Sequence, residues 1–439
     1  MALDAHAAPK LSGRLPVVGH LLRLQRDALG LLREARDAHG PAFWIDMGFG
    51  SDVLVVLDDE GFGVFRTKHA NSSHMADFEA FLGHSMLTVD GADHRRMRGA
   101  SSHAFTPAGL TRARVGEIIA ETVERHLQRW RDSGEAVLGV VPATKVIALD
   151  VIFRVMGIEV EDLPLWSKQY SEYMLGAIAI PFKFPGSPAW RAARARRWLE
   201  ARIREIIARA RERDDRESLV GAMVHGRDDE GAGMTEVELV DNLLILGFAG
   251  HETTASTMAW SMLHLAQAPK VWDQLCEEAC ALAEVPHDVI ALTEAAPFAV
   301  GVFRESLRLY PPVLIDTRRV QAPFEIAGYR VEPEDTVGTS LLHLSREPGR
   351  YVEPDAWRPE RWQTIGRKPS PIENCQFGGG AHFCLGYHMA VLEGTAFLVR
   401  AARRMTEWGM RPELIDRRIP KPSYIPLTRP PRSARIRIR

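Results

Sequence analysis

The feature that most constrains the fold is residues 234–260, which read as one long helix without a polar face. Thr235 and Glu238 form a capping box at its start, since each side chain can accept the backbone N–H of the other residue. The residues that follow, 240–248, are apolar on nearly every side. A helix that is apolar all round has to be buried. The sequence therefore predicts a long helix that crosses the core of a large folded unit.

Residues 249–254, Ala-Gly-His-Glu-Thr-Thr, break the apolar pattern of this helix. An interior glycine such as Gly250 costs about 1 kcal/mol relative to alanine. Thr253 can donate a hydrogen bond to the carbonyl of Ala249, four residues earlier. A local departure from a consistent pattern indicates a functional site, here a groove at the helix backbone where a hydroxyl and a carboxylate relay protons. A helix kink packed against a neighbouring element is the alternative.

A second unusual segment, residues 377–386, places a cysteine after three consecutive glycines. Such a run allows the backbone to approach another group closely. Residues 385–400 have the composition of a helix, so Cys384 lies where a helix begins, and the positive end of that helix is expected to lower the thiol pKa. A thiolate in this setting is a nucleophile or an axial iron ligand. The run lacks the Lys-Ser/Thr pair of a phosphate-binding loop.

Composition places the chain among ordinary globular proteins. Its 439 residues carry a net charge of −2, with 46% hydrophobic and 26% charged residues, which excludes wholesale disorder and gives no bias toward nucleic acid. With four cysteines, a disulfide scaffold is excluded, and a zinc site built from Cys276, Cys280, Cys375 and Cys384 fits no common ligand spacing. Since neither a signal peptide nor a membrane-spanning run is visible, we expect a cytoplasmic protein of one domain, residues 1–439.

Four motifs together resemble those of the cytochrome P-450 superfamily of haem-thiolate monooxygenases, in its soluble bacterial type. Its haem-binding loop is matched by FGGGAHFCLG at residues 377–386, and its oxygen-activating motif by AGHETT at 249–254. Its Glu-x-x-Arg helix motif is matched by ESLR at 305–308, and its aromatic-x-Pro-Glu-Arg-aromatic segment by WRPERW at 357–362. The order and spacing also agree, so the resemblance covers essentially the whole chain.

The resemblance implies the cytochrome P-450 fold, mainly α-helical with smaller β regions, in which the long central helix crosses a buried haem b. The residues themselves indicate β structure at about 42–57, 313–340 and 420–439. The first of these regions reads as a hairpin. Within the last, residues 429–439 read as a terminal edge strand or a frayed tail. Residues 178–185 are expected to form a mobile loop that could act as a lid.

The resemblance also implies which residues hold the haem, with Cys384 as the iron ligand. Arg318 is favoured over Arg319 as a propionate partner, because alternation in a strand turns only one of them inward. The implied partners of the propionates and of the porphyrin are His94, Arg98, Arg318, His382, Phe377, Gly380, Gly386 and Ala249.

For catalysis, the resemblance implies that Thr253 hydrogen-bonds dioxygen and that Glu252 helps to gate protons. Glu305 and Arg308 are three residues apart on one helix face, close enough to pair, and Arg361 is implied to join them in a structural brace. The implied substrate contacts are apolar, namely Phe78, Phe81, Phe248, Val313, Ile315 and Ile425.

The implied function is insertion of one atom of O2 into a small lipophilic substrate, by hydroxylation or epoxidation. Separate electron donors, a ferredoxin or flavodoxin-type protein with its reductase, are needed because 439 residues leave no room for a fused reductase. A monomer without nucleic-acid partners is expected. The alternatives are a haem-thiolate peroxygenase or isomerase, which would not need the Glu252–Thr253 pair, and a non-catalytic haem-binding sensor.

Overall fold

The computed structural model describes residues 3–177, 184–364 and 367–439, and helices make up most of this part of the chain. Residues 178–183, which hold most of the expected lid segment, lie outside it. The helices are Leu21–His39 (α1), Asp59–Gly63 (α2), Glu79–Leu82 (α3), Gly91–Ser102 (α4), Pro107–Arg112 (α5), Val115–Asp132 (α6), Val140–Val155 (α7), Leu163–Met174 (α8), Pro188–Glu212 (α9), Leu219–His225 (α10), Glu236–Gln267 (α11), Pro269–Ala281 (α12), Val289–Ala295 (α13), Pro297–Leu309 (α14), Leu341–Leu344 (α15), Arg361–Thr364 (α16) and Tyr387–Glu407 (α17).

Short strands form three sheets beside the helices. The strands are Leu3–Asp4 (β1), Ala42–Asp46 (β2), Asp52–Val56 (β3), Ala70–Asn71 (β4), Val137–Gly139 (β5), Ile315–Val320 (β6), Phe324–Ile326 (β7), Tyr329–Val331 (β8), Thr336–Ser340 (β9), Pro412–Leu414 (β10) and Arg435–Ile438 (β11). Their orders are β2-β3-β9-β6-β4, β1-β8-β7 and β10-β11-β5. The expected hairpin is the antiparallel pair of β2 and β3, and the expected β region 313–340 contains β6 to β9.

The C-terminal prediction needs a correction. In residues 420–439 the described structure forms one strand, β11, and it is the middle strand of its sheet, not an edge strand or a frayed tail. It pairs antiparallel with β10 on one side and with β5 on the other. Ile436 is fully buried, so the alternating Arg/Ile pattern marks one buried and one solvated face.

The predicted core helix is α11, which begins two residues later and runs seven residues further than the sequence prediction. Both hydrogen bonds of the capping box are present: the N–H of Glu238 donates to Thr235 Oγ1 (3.3 Å), and the N–H of Thr235 to Glu238 Oε2 (2.7 Å). Most of α11 is buried, and Trp260 is fully inaccessible. The apolar pattern thus identified the central helix of the fold.

The interior glycines of α11 face neighbouring helices. A Cβ on Gly247 would lie 2.9 Å from the ring of Tyr170 in α8, and one on Gly250 would lie 2.8 Å from Ile152 in α7. The expectation that Gly250 opens a groove is therefore wrong, because close packing against α7 accounts for it. Within the described ranges, no helix is both long and apolar enough to cross a membrane.

Candidate functional site

Cys384 lies in a short loop that ends where α17 begins. The N–H of Cys384 donates to the carbonyl of Phe377 (2.9 Å) and closes the loop, and the Phe377 ring contacts Tyr387 edge-on at 4.7 Å. Burial raises the pKa of the Cys384 thiol, opposed by the N–H of Gly386 and by the charge of Arg98. The expected net lowering of this pKa by the helix end is wrong, since burial outweighs it.

Two glycines of this loop, Gly380 and Gly386, differ in the space around them. Gly380 has φ +64°, and a Cβ there would lie 1.7 Å from the carbonyl oxygen of Phe65. Packing against Phe65 therefore requires this glycine, whereas the resemblance implied close approach of a porphyrin. A Cβ on Gly386 would meet nothing within 4 Å. Of the two, only Gly386 borders open space.

Three basic side chains gather beside this loop. His94 in α4 is buried, with its ring 4.0 Å from that of His382. Burial and the charge of His382 lower the pKa of His94 to about 4. Nε2 of His382 is buried without a hydrogen bond, and Asp90 Oδ2 is 3.5 Å away. Arg98 is half-buried, and the described residues offer it no carboxylate within ion-pair distance.

Arg318 and Arg319 point to opposite sides of β6. Arg318 is buried, donates to Asp316 Oδ1 (2.7 Å), and lies 4.7 Å above the ring of Phe65. Arg319 reaches Glu334 Oε2 (3.1 Å). Strand alternation thus turns Arg318 inward, where it already has a carboxylate partner.

The Thr253 hydroxyl lies on the accessible side of α11. It donates to the carbonyl of Ala249 (2.7 Å), as its position in the sequence predicted. Ala249 is exposed, although Ile245 and Thr254 on either side of it are buried. The methyl of Ala249 and the hydroxyl of Thr253 therefore border a cleft at the middle of a core helix.

Glu252 carries a negative charge held between two basic groups. Its Oε1 contacts the ammonium of Lys145 from α7 and lies 3.3 Å from Nε2 of His251. Nδ1 of His251 is 2.6 Å from the carbonyl of Gly247, which fixes the imidazole ring. Burial raises the pKa of Glu252, but His251 and Lys145 outweigh it and bring the pKa to about 2. This carboxylate is therefore ionised at neutral pH.

Glu305, Arg308 and Arg361 lie together in the core. Glu305 and Arg308 are completely inaccessible, with Arg308 Nη2 2.8 Å from Glu305 Oε1 and Arg361 Nε 2.9 Å from the same oxygen. The indole N–H of Trp362 donates to Glu305 Oε2 (3.0 Å), and Arg308 also donates to the carbonyls of Ser345 and Pro354. This network ties α14 to residues 345–362.

The expected substrate contacts are only partly brought together. Phe81 and Phe248 meet edge-to-face at 6.1 Å, beside α11. Ile315, at the start of β6, and Ile425 each pack against another apolar cluster. Phe78 and Val313 are 53% and 38% exposed, and no described ring contact joins Phe78 to this group.

These residues fit a haem. A haem-thiolate iron needs a cysteine sulfur, which the partly accessible Cys384 provides, and the two propionates need hydrogen-bond donors. The half-buried Arg98, which has no carboxylate beside it among the described residues, and Nε2 of His382, which has only the distant Asp90 carboxylate at 3.5 Å, are donors of the required kind. The four-cysteine zinc alternative does not fit, since no three His, Cys, Asp or Glu side chains group as metal ligands in the described part of the chain.

Lys145, Tyr173 and Arg196 were missed by sequence reasoning. Lys145 had one usable signal, since it is one of only three charged residues in the mostly apolar helix α7. Tyr173 and Arg196 had none, because their partners lie about a hundred residues earlier in the chain.

Comparisons with known proteins agree with this geometry. The Cytochrome P450 family model matches residues 9–406. Cytochrome P450 BJ-4 of Bradyrhizobium diazoefficiens is 35% identical over 432 residues, covering 98% of this chain and 96% of the relative. Cyclooctatin synthase of Streptomyces melanosporofaciens is 28% identical, covering 91% and 89%.

A solved structure supports the same fold. A cyanobacterial cytochrome P450 with retinoic acid bound matches with a TM-score of 0.82 and 23% identity, over 100% of both chains. With a family model that spans nearly the whole sequence, the assignment does not depend on any single motif. The chain belongs to the cytochrome P450 family, whose members are haem b oxidoreductases that incorporate molecular oxygen.

Proposed function

We propose that the protein is a monooxygenase that inserts one oxygen atom into a small lipophilic substrate, using electrons from separate proteins. The observation that carries this proposal is that the Thr253 hydroxyl, hydrogen-bonded to the carbonyl of Ala249, lies next to the exposed Ala249 on a helix that is mostly buried. A peroxygenase, an isomerase or a haem sensor would not need a hydroxyl and a charged Glu252 at this cleft.

Cys384, Arg98, His94 and His382 are the residues that would hold the haem. Bound haem supplies the iron at which O2 is activated for oxygen transfer. Arg98 and His382 would donate to the propionates, because Arg98 has no carboxylate within ion-pair distance among the described residues and the carboxylate nearest to His382 Nε2, that of Asp90, is 3.5 Å away. Arg318 is a weaker candidate, because Asp316 already accepts from it.

Thr253 would act by holding a proton donor at its Oγ1. The hydroxyl of Thr253 donates its proton to the carbonyl of Ala249. The lone pairs of Oγ1 therefore remain as acceptors that face the cleft. A water bound there is oriented for proton transfer toward the cleft.

Glu252 would control proton access by moving its side chain, not by taking up and releasing a proton itself. A carboxylate with a pKa of about 2 is a poor proton donor at neutral pH. The side chain of its partner Lys145 is 31% exposed, so the ion pair extends from the cleft side of α11 toward solvent. Rotation of Glu252 away from Lys145 would open a polar path between them.

The electron donor would dock beside the Cys384 loop. A surface pocket of about 360 Å³ lies there, lined partly by Phe62, Arg66, the three glycines 378–380 and Phe383. Arg66 is exposed at its rim, which favours an acidic partner such as a ferredoxin or flavodoxin.

The test is expression with haem, followed by turnover with a surrogate ferredoxin and its reductase. Replacing Cys384 by Ala should remove the thiolate-type absorption of the reduced carbon monoxide complex, whereas replacing the buried Cys375 by Ala should preserve it. Wild-type protein without haem would refute the proposal. Turnover with peroxide alone would favour a peroxygenase, and ligand binding without any turnover would favour a sensor.

A further inference from the structure

The backbone carbonyl of Phe81 is held by two helices at once. It accepts the hydroxyl of Tyr173 in α8 (2.7 Å) and Nη1 of Arg196 in α9 (3.1 Å). A backbone carbonyl can accept two hydrogen bonds, so both of its lone pairs are used here. The position of residues 79–84, which contain Phe81, therefore depends on side chains from α8 and α9.

A third helix joins through Asp241 of α11. Its Oδ1 accepts Arg196 Nη2 (3.2 Å), and its Oδ2 accepts the N–H of His84 (2.9 Å). Gly83 has φ +70°, and a Cβ there would lie 2.2 Å from this carboxylate, so the turn fits closely over Asp241. The Asp241 side chain is buried, which makes loss of its partner costly.

These contacts also fix the ring of Phe81. It stacks on Tyr173 with centroids 4.8 Å apart, and meets Phe248 of α11 edge-on at 6.1 Å. Offset and edge-to-face arrangements of this kind are favourable aromatic geometries. One backbone carbonyl and one ring thus join α8, α9 and α11 around residues 79–84.

We propose that Tyr173, Arg196 and Asp241 form a clasp on Phe81 and are positioning residues for the substrate. The clasp holds the Phe81–Phe248 corner in place, so that a ligand with an apolar ring meets a preformed wall. It also slows ligand release, because residues 79–84 move away only when the hydrogen bonds to α8, α9 and α11 break together. This inference rests on the proposed function, in which Phe81 and Phe248 line the substrate cavity.

The test compares Tyr173→Phe and Arg196→Gln with Arg202→Gln, a matched control on the same helix whose exposed side chain pairs with Glu205 and lies over the ring of Trp198, away from Phe81. Tyr173→Phe keeps the stacking ring and removes one hydrogen bond, so it should fold. The haem-loaded proteins are titrated with 4-phenylimidazole and with imidazole, and hydrogen–deuterium exchange is followed over residues 79–84.

Loss of one hydrogen bond should speed exchange in residues 79–84 and weaken 4-phenylimidazole binding by about two- to tenfold. Imidazole affinity should stay constant, since imidazole lacks the ring that would reach Phe81. Unchanged exchange and unchanged 4-phenylimidazole affinity in Tyr173→Phe would overturn the clasp. If Arg196→Gln fails to fold, Arg196→Gln combined with Asp241→Asn removes the buried charge left unpaired at Asp241, while Glu200, the other partner of Arg196, keeps Arg204 within 4.0 Å. The double variant is tested by the same exchange and affinity measurements. Failure of the wild type to take up haem would refute the proposed function instead, and the exchange measurement would still judge the clasp.

Discussion

The Thr253 hydroxyl and the methyl of Ala249 distinguish the cleft side of α11 from the rest of a buried helix. Replacing Thr253 by Ala removes the acceptor that would orient water at the cleft. We expect electrons to be diverted to hydrogen peroxide, with product per NADH consumed falling severalfold, while Thr253→Ser stays close to the wild type. The measurement is peroxide and product per NADH in the reconstituted system. Equal coupling in Thr253→Ala and the wild type would contradict the proposed role.

Single residues were predictable where the chemistry is local in sequence. The Thr253–Ala249 hydrogen bond follows from a spacing of four in a helix, and the Glu305–Arg308 pair from a spacing of three. Lys145 was not predictable as the partner of Glu252, because more than a hundred residues separate them and only the packing of α7 on α11 brings them together.

At the scale of elements, the Cys384 loop contains two glycines that should respond differently to alanine. Gly380→Ala forces a Cβ onto the carbonyl of Phe65 at a positive φ, so we expect loss of soluble, haem-containing protein. Gly386→Ala meets no protein atom, so the chain should fold with normal far-UV circular dichroism and bind haem more weakly. Haem content and circular dichroism of both variants are the measurements. Normal haem content in Gly380→Ala would show that the loop can shift.

Elements differed in how far the sequence could predict them. The helix α11 and the β2–β3 hairpin were predictable, since a capping box, an apolar pattern and a turn are all local signals. The short strands β5 and β10 were not predicted, because each exists only by pairing with β11, far along the chain. The same pairing makes β11 a middle strand rather than an edge.

Across the whole molecule, the buried Glu305 carboxylate links α14 to a segment some fifty residues later. Replacing Glu305 by Gln leaves Arg308 buried without its charge partner, which should cost about 3–5 kcal/mol of unfolding free energy. We expect little folded haem protein, measured as haem content per chain. Arg358→Gln is a matched control, because its side chain pairs with exposed carboxylates only. Similar haem content in both variants would show that the brace is dispensable.

Acid sensitivity of the whole fold should come in part from buried imidazoles. Burial, helped by the charge of Arg346, lowers the pKa of His264 to about 3, and burial together with Arg36 lowers that of His343 to about 4. Below the ordinary histidine pKa of about 6.5, these two imidazoles become protonated in the unfolded chain but stay neutral in the folded protein. The stability they support is therefore complete above about pH 6.5 and is lost as the pH falls toward 4.

At pH 5 each of these histidines should cost about 2 kcal/mol of unfolding free energy relative to pH 7. His264→Phe keeps a ring between Tyr310 and Trp357 but cannot titrate, so its stability should fall less steeply with pH, whatever its value at pH 7. Denaturant unfolding at pH 7, 6 and 5 measures this slope, and the exposed His69, replaced by Gln, is the control whose slope should match the wild type. If the unfolding free energy of His264→Phe and of the wild type fell equally steeply with pH, His264 would become protonated without unfolding. Its buried contacts with Tyr310 and Trp357 would then tolerate a charge.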